Sequence, residues 1–270
     1  MLTLTGISKT FFRGGANEVA ALDGISLDIE EGDFLTVIGS NGAGKSSLLN
    51  CLAGCFFPDA GRIVLDGRDI TTLPEYARAA FLGRVFQDPL LGTSASLSIE
   101  QNLALASLRG QRRGLAPGVK ARDRERFRRA LARLSLGLEN RMQAGVRLLS
   151  GGQRQALTML MATLAEPRVL LLDEHTAALD PKTAAHILDL TERIVAEKRL
   201  TTLMVTHNMH QAIRLGNRLV MMHRGRVILD VRGEEKQSLT VEDLLRRFHS
   251  LRDGDGEAAD DAMSDKMLLA

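Results

Sequence analysis

The chain of 270 residues is 44% hydrophobic and 25% charged, and its formal net charge is +2. These values are ordinary for a soluble globular protein with a full core, in one large domain or two small ones. No apolar run approaches the roughly 20 residues of a transmembrane helix, the first residues lack the layout of a signal peptide, and two cysteines four residues apart do not make a zinc site, so we expect cytosolic residence.

Short strand patterns and turns fill residues 1–38 and predict a small antiparallel sheet. The apolar run at 34–38 predicts a buried parallel strand, and residues 47–53 predict a helix. Between the two lies GSNGAGKS, which matches the phosphate-binding pattern G-x-x-x-x-G-K-[ST] at every fixed position. The predicted phosphate cradle consists of Gly39, Ser40, Asn41, Gly42, Ala43, Gly44, Lys45 and Ser46.

The residue types of this cradle suit a nucleotide and its metal ion. Glycines let the backbone turn tightly and direct N–H groups inward, and the helix start adds the positive end of its dipole. Lys45 is predicted to reach the β- and γ-phosphates, and the Ser46 hydroxyl to ligate Mg²⁺. The sequence therefore predicts binding of a nucleoside polyphosphate with Mg²⁺.

A mostly helical pattern runs from 98 to about 165 and predicts a helical subdomain inserted between strands of the core. Within it, residues 109–133 hold ten basic residues against two acidic ones. Nucleic acid, anionic lipid or an acidic loop of a partner could use such a patch. Only Phe127 interleaves it as an aromatic residue, which disfavours nucleic acid. We favour a solvated basic helix face without a ligand.

Strands and helices alternate again in the last hundred residues. Strand patterns lie at 169–172, 201–205, 218–223 and 226–231, and helical patterns at 181–197, 208–215 and 241–248. Parallel strands joined by helices predict an α/β core. Residues 251–270 are rich in acidic residues, Gly and Ala, and predict a disordered tail.

Two carboxylates follow the apolar strand at 169–172. A buried strand would deliver Asp173 to the loop edge beside the cradle, where it can hold Mg²⁺ through water. Glu174, one residue on, can orient or deprotonate an attacking water. A strand ending in Asp-Glu is common by itself, but in a chain with a complete cradle it predicts metal binding and catalysis.

The sequence LSGGQ at 149–153 predicts the start of a helix, with Ser150 as its N-cap. Exposed N–H groups at a helix start, next to a serine hydroxyl, form a second phosphate-binding surface. One chain needs only one cradle, so this second surface suggests that each ATP is held between two chains.

These motifs together resemble the nucleotide-binding subunit of an ATP-binding cassette (ABC) transporter. They are GSNGAGKS, VFQD with its Gln87, LSGGQ, LLLDE at 170–174, ALD at 178–180 and Thr206-His207. LSGGQ is the most specific of them. The resemblance covers residues 1–250 and implies a P-loop (RecA-like) α/β fold: a parallel sheet core, an antiparallel β subdomain and a helical subdomain inserted at about 88–158.

The resemblance also implies a role for each matching side chain. Phe11, in preference to Phe12, would stack on the adenine. Gln87 would touch Mg²⁺ and the attacking water, and His207 would contact the γ-phosphate and help position Glu174. Ser150 and Gly152 would bind the γ-phosphate held by the opposite subunit. Asp180 would lie at the dimer interface. The implied catalytic residues are Glu174, His207 and Gln87, and the implied metal ligands are Ser46, Gln87 and Asp173. The implied nucleotide-binding residues are Phe11, Gly39, Ser40, Asn41, Gly42, Ala43, Gly44, Lys45, Ser46, Ser47, Ser150, Gly151, Gly152, Gln153 and Asp180.

The function implied by the resemblance is that of an ATPase subunit. It would dimerise around two Mg-ATP, as a homodimer or with a similar cassette subunit, and power a separate membrane permease from the cytoplasmic face of the plasma membrane. Residues 88–105 and 173–180 are similar to an importer group linked to binding proteins for aromatic amino acids. We therefore expect import of a small solute such as an amino acid, with a substrate-binding protein as a further partner. We expect no binding to nucleic acid.

Two alternatives stay open on the sequence. The chain could be the ATPase subunit of an ABC exporter, because import and export cassettes share these motifs. It could also be a soluble ABC ATPase that acts in assembly or repair without a permease.

Two positions depart from the family pattern. His175 stands where the family commonly has proline, which predicts a looser backbone after Glu174 without loss of a group that has a role. Ala156 replaces the basic residue that is usual after GGQRQ, so this chain has no basic side chain at that position.

Overall fold

The computed structural model describes residues 1–111 and 118–255, without the side chains of residues 249–255. The chain divides into two compact units. The first consists of Met1–Leu73 and the chain from Thr202 onward, and the second of Pro74–Thr201.

The described strands and helices alternate along most of the chain. The strands are β1 (Leu2–Phe11), β2 (Val19–Ile29), β3 (Phe34–Gly39), β4 (Ala60–Leu65), β5 (Arg68–Asp69), β6 (Leu82–Val85), β7 (Val169–Asp173), β8 (Thr201–Val205), β9 (Arg218–His223) and β10 (Arg226–Arg232). The helices are α1 (Lys45–Ala53), α2 (Glu75–Arg78), α3 (Ile99–Ser107), α4 (Ala121–Ala132), α5 (Gly151–Thr163), α6 (Pro181–Lys198), α7 (Met209–Arg214), α8 (Gly233–Gln237) and α9 (Val241–Asp255).

The first unit contains an antiparallel sheet in the order β2-β1-β4-β5. β1 pairs on one side with β2, where Leu4 lies opposite Leu27, and on the other with β4, where Leu4 lies opposite Ile63. All three side chains are buried. Apolar residues therefore line one face of this sheet, as the alternation of strand side chains requires.

Parallel strands form the other sheet of the first unit. β3 lies between β8 and β9 and is parallel to both, and β10 pairs antiparallel with β9. Every residue of β3 is buried, which explains its continuous apolar sequence. Ile38 of this strand packs in one core cluster with Met209, Leu219, Leu244 and Phe248, so α7 and α9 supply part of the core beside the sheet.

The second unit combines a parallel strand pair with most of the helices. β6 and β7 are parallel, with Val85 opposite Leu172. A single core cluster joins α3, α4, α5 and α6 through residues such as Leu103, Phe127, Leu157 and Ile187, all fully buried. The amphipathic α4 is thus fixed by Phe127 and Leu131, while its arginines stay on the outer face.

The predicted α/β fold with parallel core strands, an antiparallel sheet and a helical region is confirmed. α1 begins at Lys45, two residues before the predicted helix. The closing helix, predicted at 241–248, continues to Asp255, so the first five residues of the predicted tail are helical. The rest of that tail, 256–270, and Arg112 and Arg113 of the basic stretch lie outside the described residues. Across the described ranges, no helix is both long and apolar enough to span a bilayer.

Candidate functional site

The predicted phosphate cradle is a turn between β3 and α1 whose shape depends on glycine. Gly44 is the N-cap of α1, has φ of 97°, and offers no side chain to cap the helix. A Cβ at this position would lie 2.4 Å from the Ala21 carbonyl oxygen of β2. The loop is also held from outside, because the Gly225 N–H donates to the Ala43 carbonyl at 3.0 Å. The backbone of neighbouring strands therefore fixes the shape of the cradle.

Lys45 lies inside the cradle. Its side chain is only 6% exposed, and its Nζ donates to the carbonyl oxygens of Gly39 at 2.8 Å and Ser40 at 2.9 Å. Ser46, in the same turn, is exposed. The Lys45 ammonium and the N–H groups of the helix start fit a polyphosphate. The exposed Ser46 hydroxyl fits a divalent cation.

His207 follows β8 in the same unit as the cradle. β8 and β3 are neighbouring parallel strands, with Val205 opposite Val37, so the segments that follow them leave at the same edge of the sheet. The loop is ordered by its neighbours: Asn208 accepts from the Gln211 N–H as the N-cap of α7, and Thr206 donates to Gln211 Oε1. His207 is half-buried there.

The two candidate adenine-stacking residues differ in their surroundings. Phe11, the last residue of β1, makes an edge-to-face contact with Phe56 at 5.1 Å, and Lys9 Nζ lies 5.7 Å from its ring centroid. Phe12 has φ of 53° and a side chain that is 74% exposed. Phe11 is the better fixed of the two rings, which agrees with the preference stated from the sequence.

Asp173 is the last residue of β7 in the second unit, and Glu174 directly follows it. The carboxylate of Asp173 forms an ion pair with Arg84 of β6, at 3.3 Å between Oδ2 and Nη2. Both side chains are largely buried, at 16% and 13% exposed, so this pair is shielded from bulk water. Glu174 has φ of 41°, in the left-handed region that residues other than glycine seldom adopt.

Gln87 follows β6, the parallel neighbour of β7, so it leaves the strand pair at the same edge as Asp173. Its side chain is exposed. The preceding residue is fastened to α5, because Gln155 Nε2 donates to the Phe86 carbonyl at 3.3 Å. Gln155 is buried, at 1% exposed. Its hydrogen bond links the segment before Gln87 to α5 within this unit.

Ser150 is the N-cap of α5, as predicted, and forms a capping box. Its hydroxyl accepts from the Gln153 N–H at 3.3 Å, and Gln153 Oε1 accepts from the Ser150 N–H at 3.2 Å. Gly152 packs closely on α6: a Cβ there would lie 2.3 Å from Thr183 Cγ2. Asp180 caps α6 by accepting from the Thr183 N–H, and the hydrogen bonds from the Thr183 side chain and from this N–H lower the pKa of the Asp180 carboxyl.

The looser backbone expected at His175 stays a prediction, and the structure shows what the histidine side chain contacts there. His175 is 1% exposed, and its Nε2 lies 3.1 Å from the Thr191 hydroxyl of α6. Burial lowers the pKa of its imidazole to about 4, so the ring is neutral near pH 7. The histidine therefore attaches this loop to α6 through a side chain, where proline would have stiffened the backbone.

The first unit therefore holds the cradle, Phe11 and His207, and the second holds Gln87, Ser150–Gln153, Asp173, Glu174 and Asp180. Sequence reasoning missed Arg84, Gln155, Thr183 and Thr191. Arg84 had a signal, because it is a charged residue in an otherwise apolar strand. The other three had none, since their contacts depend on how the helices pack.

The basic stretch is paired in part. Arg124 pairs with Glu100 at 3.1 Å, Arg128 pairs with Glu125 at 3.2 Å, and Arg133 pairs with Glu197. In these pairs the arginines are 49–61% exposed, and the pairs of Arg128 and Arg133, whose carboxylates are exposed too, contribute little to stability. This agrees with a solvated helix face.

Comparisons with known proteins agree with these motifs. Residues 22–177 match the family described as ABC transporter. The tyrosine transport ATP-binding protein of Clostridioides difficile is 46% identical over 248 residues, 92% of this chain and 98% of that protein. The methionine import ATP-binding protein MetN of Caulobacter vibrioides is 35% identical over 263 residues, 96% of this chain and 75% of that protein.

Solved structures give the same result. The dimeric post-hydrolysis state of an ATP-binding cassette bound to ADP and Pi superposes with a TM-score of 0.73 at 28% identity, covering 86% of this chain and 98% of that chain. The ADP conformation of another ABC transporter cassette superposes with a TM-score of 0.74 at 25% identity, covering 95% of this chain and 99% of that chain.

Proposed function

This chain belongs to the ABC transporter family as an ATP-hydrolysing subunit, and from that premise we propose that it powers the import of an aromatic amino acid, with tyrosine as the first candidate. One observation carries the proposal: the 46% identity, over 92% of the chain, to a tyrosine transport ATP-binding protein. The methionine import relative is 35% identical. Tyrosine therefore precedes methionine as the solute to test.

The proposed assembly has two copies of the chain, an integral-membrane permease and a substrate-binding protein. The dimeric cassette among the structural relatives supports the pairing of two subunits. The α5 start supports it too, because Ser150 and the following N–H groups offer a second place for phosphate. Such an assembly holds the chain peripherally on the cytoplasmic face of the membrane.

ATP binding is assigned mainly to the first unit. Residues 39–47 hold the phosphates through N–H groups, the Lys45 ammonium and the hydroxyls of Ser40, Ser46 and Ser47, and Phe11 stacks on the adenine. Ser150, Gly151, Gly152 and Gln153 of one copy bind the γ-phosphate of the ATP held by the other, and Asp180 lies at the interface. Because ATP contacts both copies only in the closed dimer, its binding favours closure, and hydrolysis removes the bridge.

Hydrolysis is assigned to three side chains. Glu174 accepts a proton from the attacking water, Gln87 orients that water, and His207 contacts the γ-phosphate. Ser46, Gln87 and Asp173 are the residues that would hold Mg²⁺, and a metal ion bound to them would supply positive charge to offset that of the phosphates. Arg84 pairs with the Asp173 carboxylate at 3.3 Å and so holds that carboxylate in place at the end of β7.

The proposed domain organisation follows from the same family pattern. Residues 1–250 form the ATPase domain, with the helical subdomain inserted at about 88–158, and residues 251–270 form a tail. The helices α3, α4 and α5 share one core, which supports a subdomain in this region.

Mild solubilisation of host membranes containing a tagged copy of the chain tests the proposal. We expect a polytopic permease and a substrate-binding protein to co-purify in stoichiometric amount, and tyrosine to stimulate the ATPase of the complex in proteoliposomes more than methionine does. The Glu174→Gln complex serves as the control, because it should keep the same partners and bind ATP while its hydrolysis stops.

Each other result rejects a defined part of the proposal. Recovery from the soluble fraction with non-membrane partners would overturn the transport assembly. Stimulation by methionine alone would replace the solute, and ATP-driven export from the vesicles would reverse the direction. Unchanged turnover in Glu174→Gln would remove the assigned base.

A further inference from the structure

The loop after β7 contains a buried histidine that no assigned role uses. His175 directly follows Glu174, is 1% exposed, and makes one hydrogen bond, with Thr191 of α6 at 3.1 Å. Its Nδ1 has no partner among the described residues. Burial of a polar ring costs free energy for each nitrogen without a hydrogen-bond partner, so the bond to Thr191 offsets only part of that cost.

The hydrogen-bond pattern of Thr191 fixes the direction of this bond. A threonine hydroxyl has one proton. Thr191 donates it to the Ile187 carbonyl one turn earlier in α6, at 2.8 Å. The hydroxyl oxygen must therefore accept from His175, so the ring carries its proton on Nε2 and donates to α6.

The residue before this anchor has an unfavourable backbone conformation. Glu174 has φ of 41°, and a left-handed conformation is unfavourable for a residue other than glycine, so it persists only where the surrounding structure imposes it. The Ala177 N–H donates to the Glu174 carbonyl at 3.0 Å, which closes a tight turn. His175 lies inside that turn.

Both ends of this loop are attached to one helix. Asp180 caps the start of α6 by accepting from the Thr183 N–H at 3.1 Å, and His175 donates to Thr191 two turns further along. We call the segment from 174 to 180 the strap. It is bound to α6 at one end by the N-cap Asp180 and near the other end by the side-chain hydrogen bond of His175.

We propose that His175 is a positioning residue for hydrolysis: its hydrogen bond to Thr191 holds the left-handed backbone at Glu174 and so sets the direction of the Glu174 carboxylate. The proposal rests on the proposed role of Glu174 as the base. Loss of the bond lowers the rate of the chemical step and leaves nucleotide binding to the cradle, which belongs to the other unit.

A pair of matched threonine variants of the full chain tests this. Thr191→Val removes the hydroxyl and keeps the branched shape of the side chain. Thr163→Val is its control, because Thr163 is also fully buried and bonds to the carbonyl four residues earlier, Met159, at 3.0 Å, but accepts from no histidine. Both substitutions should lower the thermal midpoint, Thr191→Val by more, because it also leaves the buried His175 Nε2–H without an acceptor.

The two variants should separate in kinetics. Thr191→Val should lower kcat about tenfold with ATP affinity and KM changed less than twofold, because a displaced base affects only the chemical step. Thr163→Val should keep kcat within twofold. Thr191→Ser, which restores the hydroxyl, should recover the rate. Equilibrium titration with ATP supplies the readout that does not depend on turnover.

A second pair covers the case in which the valine variant does not fold. His175→Gln retains an N–H donor near the position of Nε2, and His175→Leu has similar bulk without a donor. The glutamine variant should exceed the leucine variant in kcat at equal ATP affinity. Equal rates for the two, or a Thr191→Ser rate as low as that of Thr191→Val, would overturn the proposal.

Glu174→Gln distinguishes failure of this proposal from failure of the proposed function. If Glu174→Gln stops hydrolysis while Thr191→Val keeps the full rate, the base stands and the positioning role is rejected. If Glu174→Gln keeps its turnover, the base itself is wrong, and the positioning role is rejected with it.

Discussion

The cradle of the first unit and the strap at 174–180 of the second unit are two loops that follow buried strands, and they are fixed in different ways. The cradle is enclosed by backbone: Gly44 faces the Ala21 carbonyl oxygen, and the Gly225 N–H bonds to Ala43. The strap is held by side chains, through the bonds of His175 and Asp180 to α6. Backbone enclosure leaves only glycine acceptable, whereas a side-chain bond can be replaced by another one.

The same contrast holds for the close-packed glycines. In the first unit a Cβ on Gly44 would meet a carbonyl oxygen that belongs to a paired strand. In the second unit a Cβ on Gly152 would meet the methyl group of Thr183. No substitution removes a backbone carbonyl, whereas a substitution can remove a side-chain methyl group. A second mutation should therefore rescue an alanine at position 152 but not one at position 44.

The largest effect is expected for Gly44→Ala. The new Cβ would lie 2.4 Å from the Ala21 oxygen at a residue with φ of 97°, so clash and backbone strain add to about 3–5 kcal/mol of destabilisation. ATP binding should be lost in titration. Gly42→Ala is the control: its φ is 78° but nothing lies within 4 Å of the new Cβ, so only about 1 kcal/mol of strain is expected. Equal thermal midpoints for the two would show that enclosure by β2 does not matter.

A smaller and reversible effect is expected for Gly152→Ala. Overpacking against Thr183 Cγ2 should destabilise the chain by about 1–3 kcal/mol, read as a lower thermal midpoint. Thr183→Ser removes that methyl group and leaves the next atom of residue 183 at 3.6 Å, while the backbone N–H that binds Asp180 is unchanged. The double variant should recover the midpoint.

The matched control for this pair is Gly151→Ala, whose Cβ would lie 3.4 Å from Leu179 Cδ2, an ordinary contact. It should change the midpoint little. If Thr183→Ser fails to rescue Gly152→Ala, the obstacle at this position is backbone as in the cradle, and the contrast between the two units disappears.

The two loops also differ in how far their sequence predicts them. The residues of the cradle could be predicted from the sequence, because a backbone turn of this shape needs glycines and a lysine at fixed local spacing, and the strand and helix beside it show their own periodicity. Its enclosure by Ala21 and Gly225 could not, because both are distant in sequence. The Asp-Glu pair was found for the same reason, at the end of an apolar strand.

The supports of the second loop could not be predicted, because their partners are distant in sequence. Thr191 is 16 residues from His175, and Arg84 is 89 residues from Asp173. Only the packing of α6 and the register of β6 against β7 bring them together. The bond of His175 was hidden in the same way: the histidine in place of the proline common in the family is visible in the sequence, whereas its contact with α6 is not.

The smallest effect is expected at two helix starts that are nearly identical. Ser98 caps α3 and Ser150 caps α5, each in a capping box with a glutamine three residues on. Alanine at either position removes one side-chain cap, so each substitution should destabilise the chain by about 1 kcal/mol. Thermal unfolding should therefore not distinguish Ser98→Ala from Ser150→Ala.

ATPase activity should distinguish them, because only the Ser150 hydroxyl is assigned to phosphate. Ser98→Ala should keep kcat and ATP-dependent dimerisation, measured by light scattering in the Glu174→Gln background, close to the unsubstituted chain. Ser150→Ala should weaken dimerisation and lower the rate at the same loss of stability. If the two variants behave alike in both assays, Ser150 acts only as a helix cap. The second phosphate-binding surface would then consist of the backbone N–H groups of α5, as the cradle consists largely of backbone.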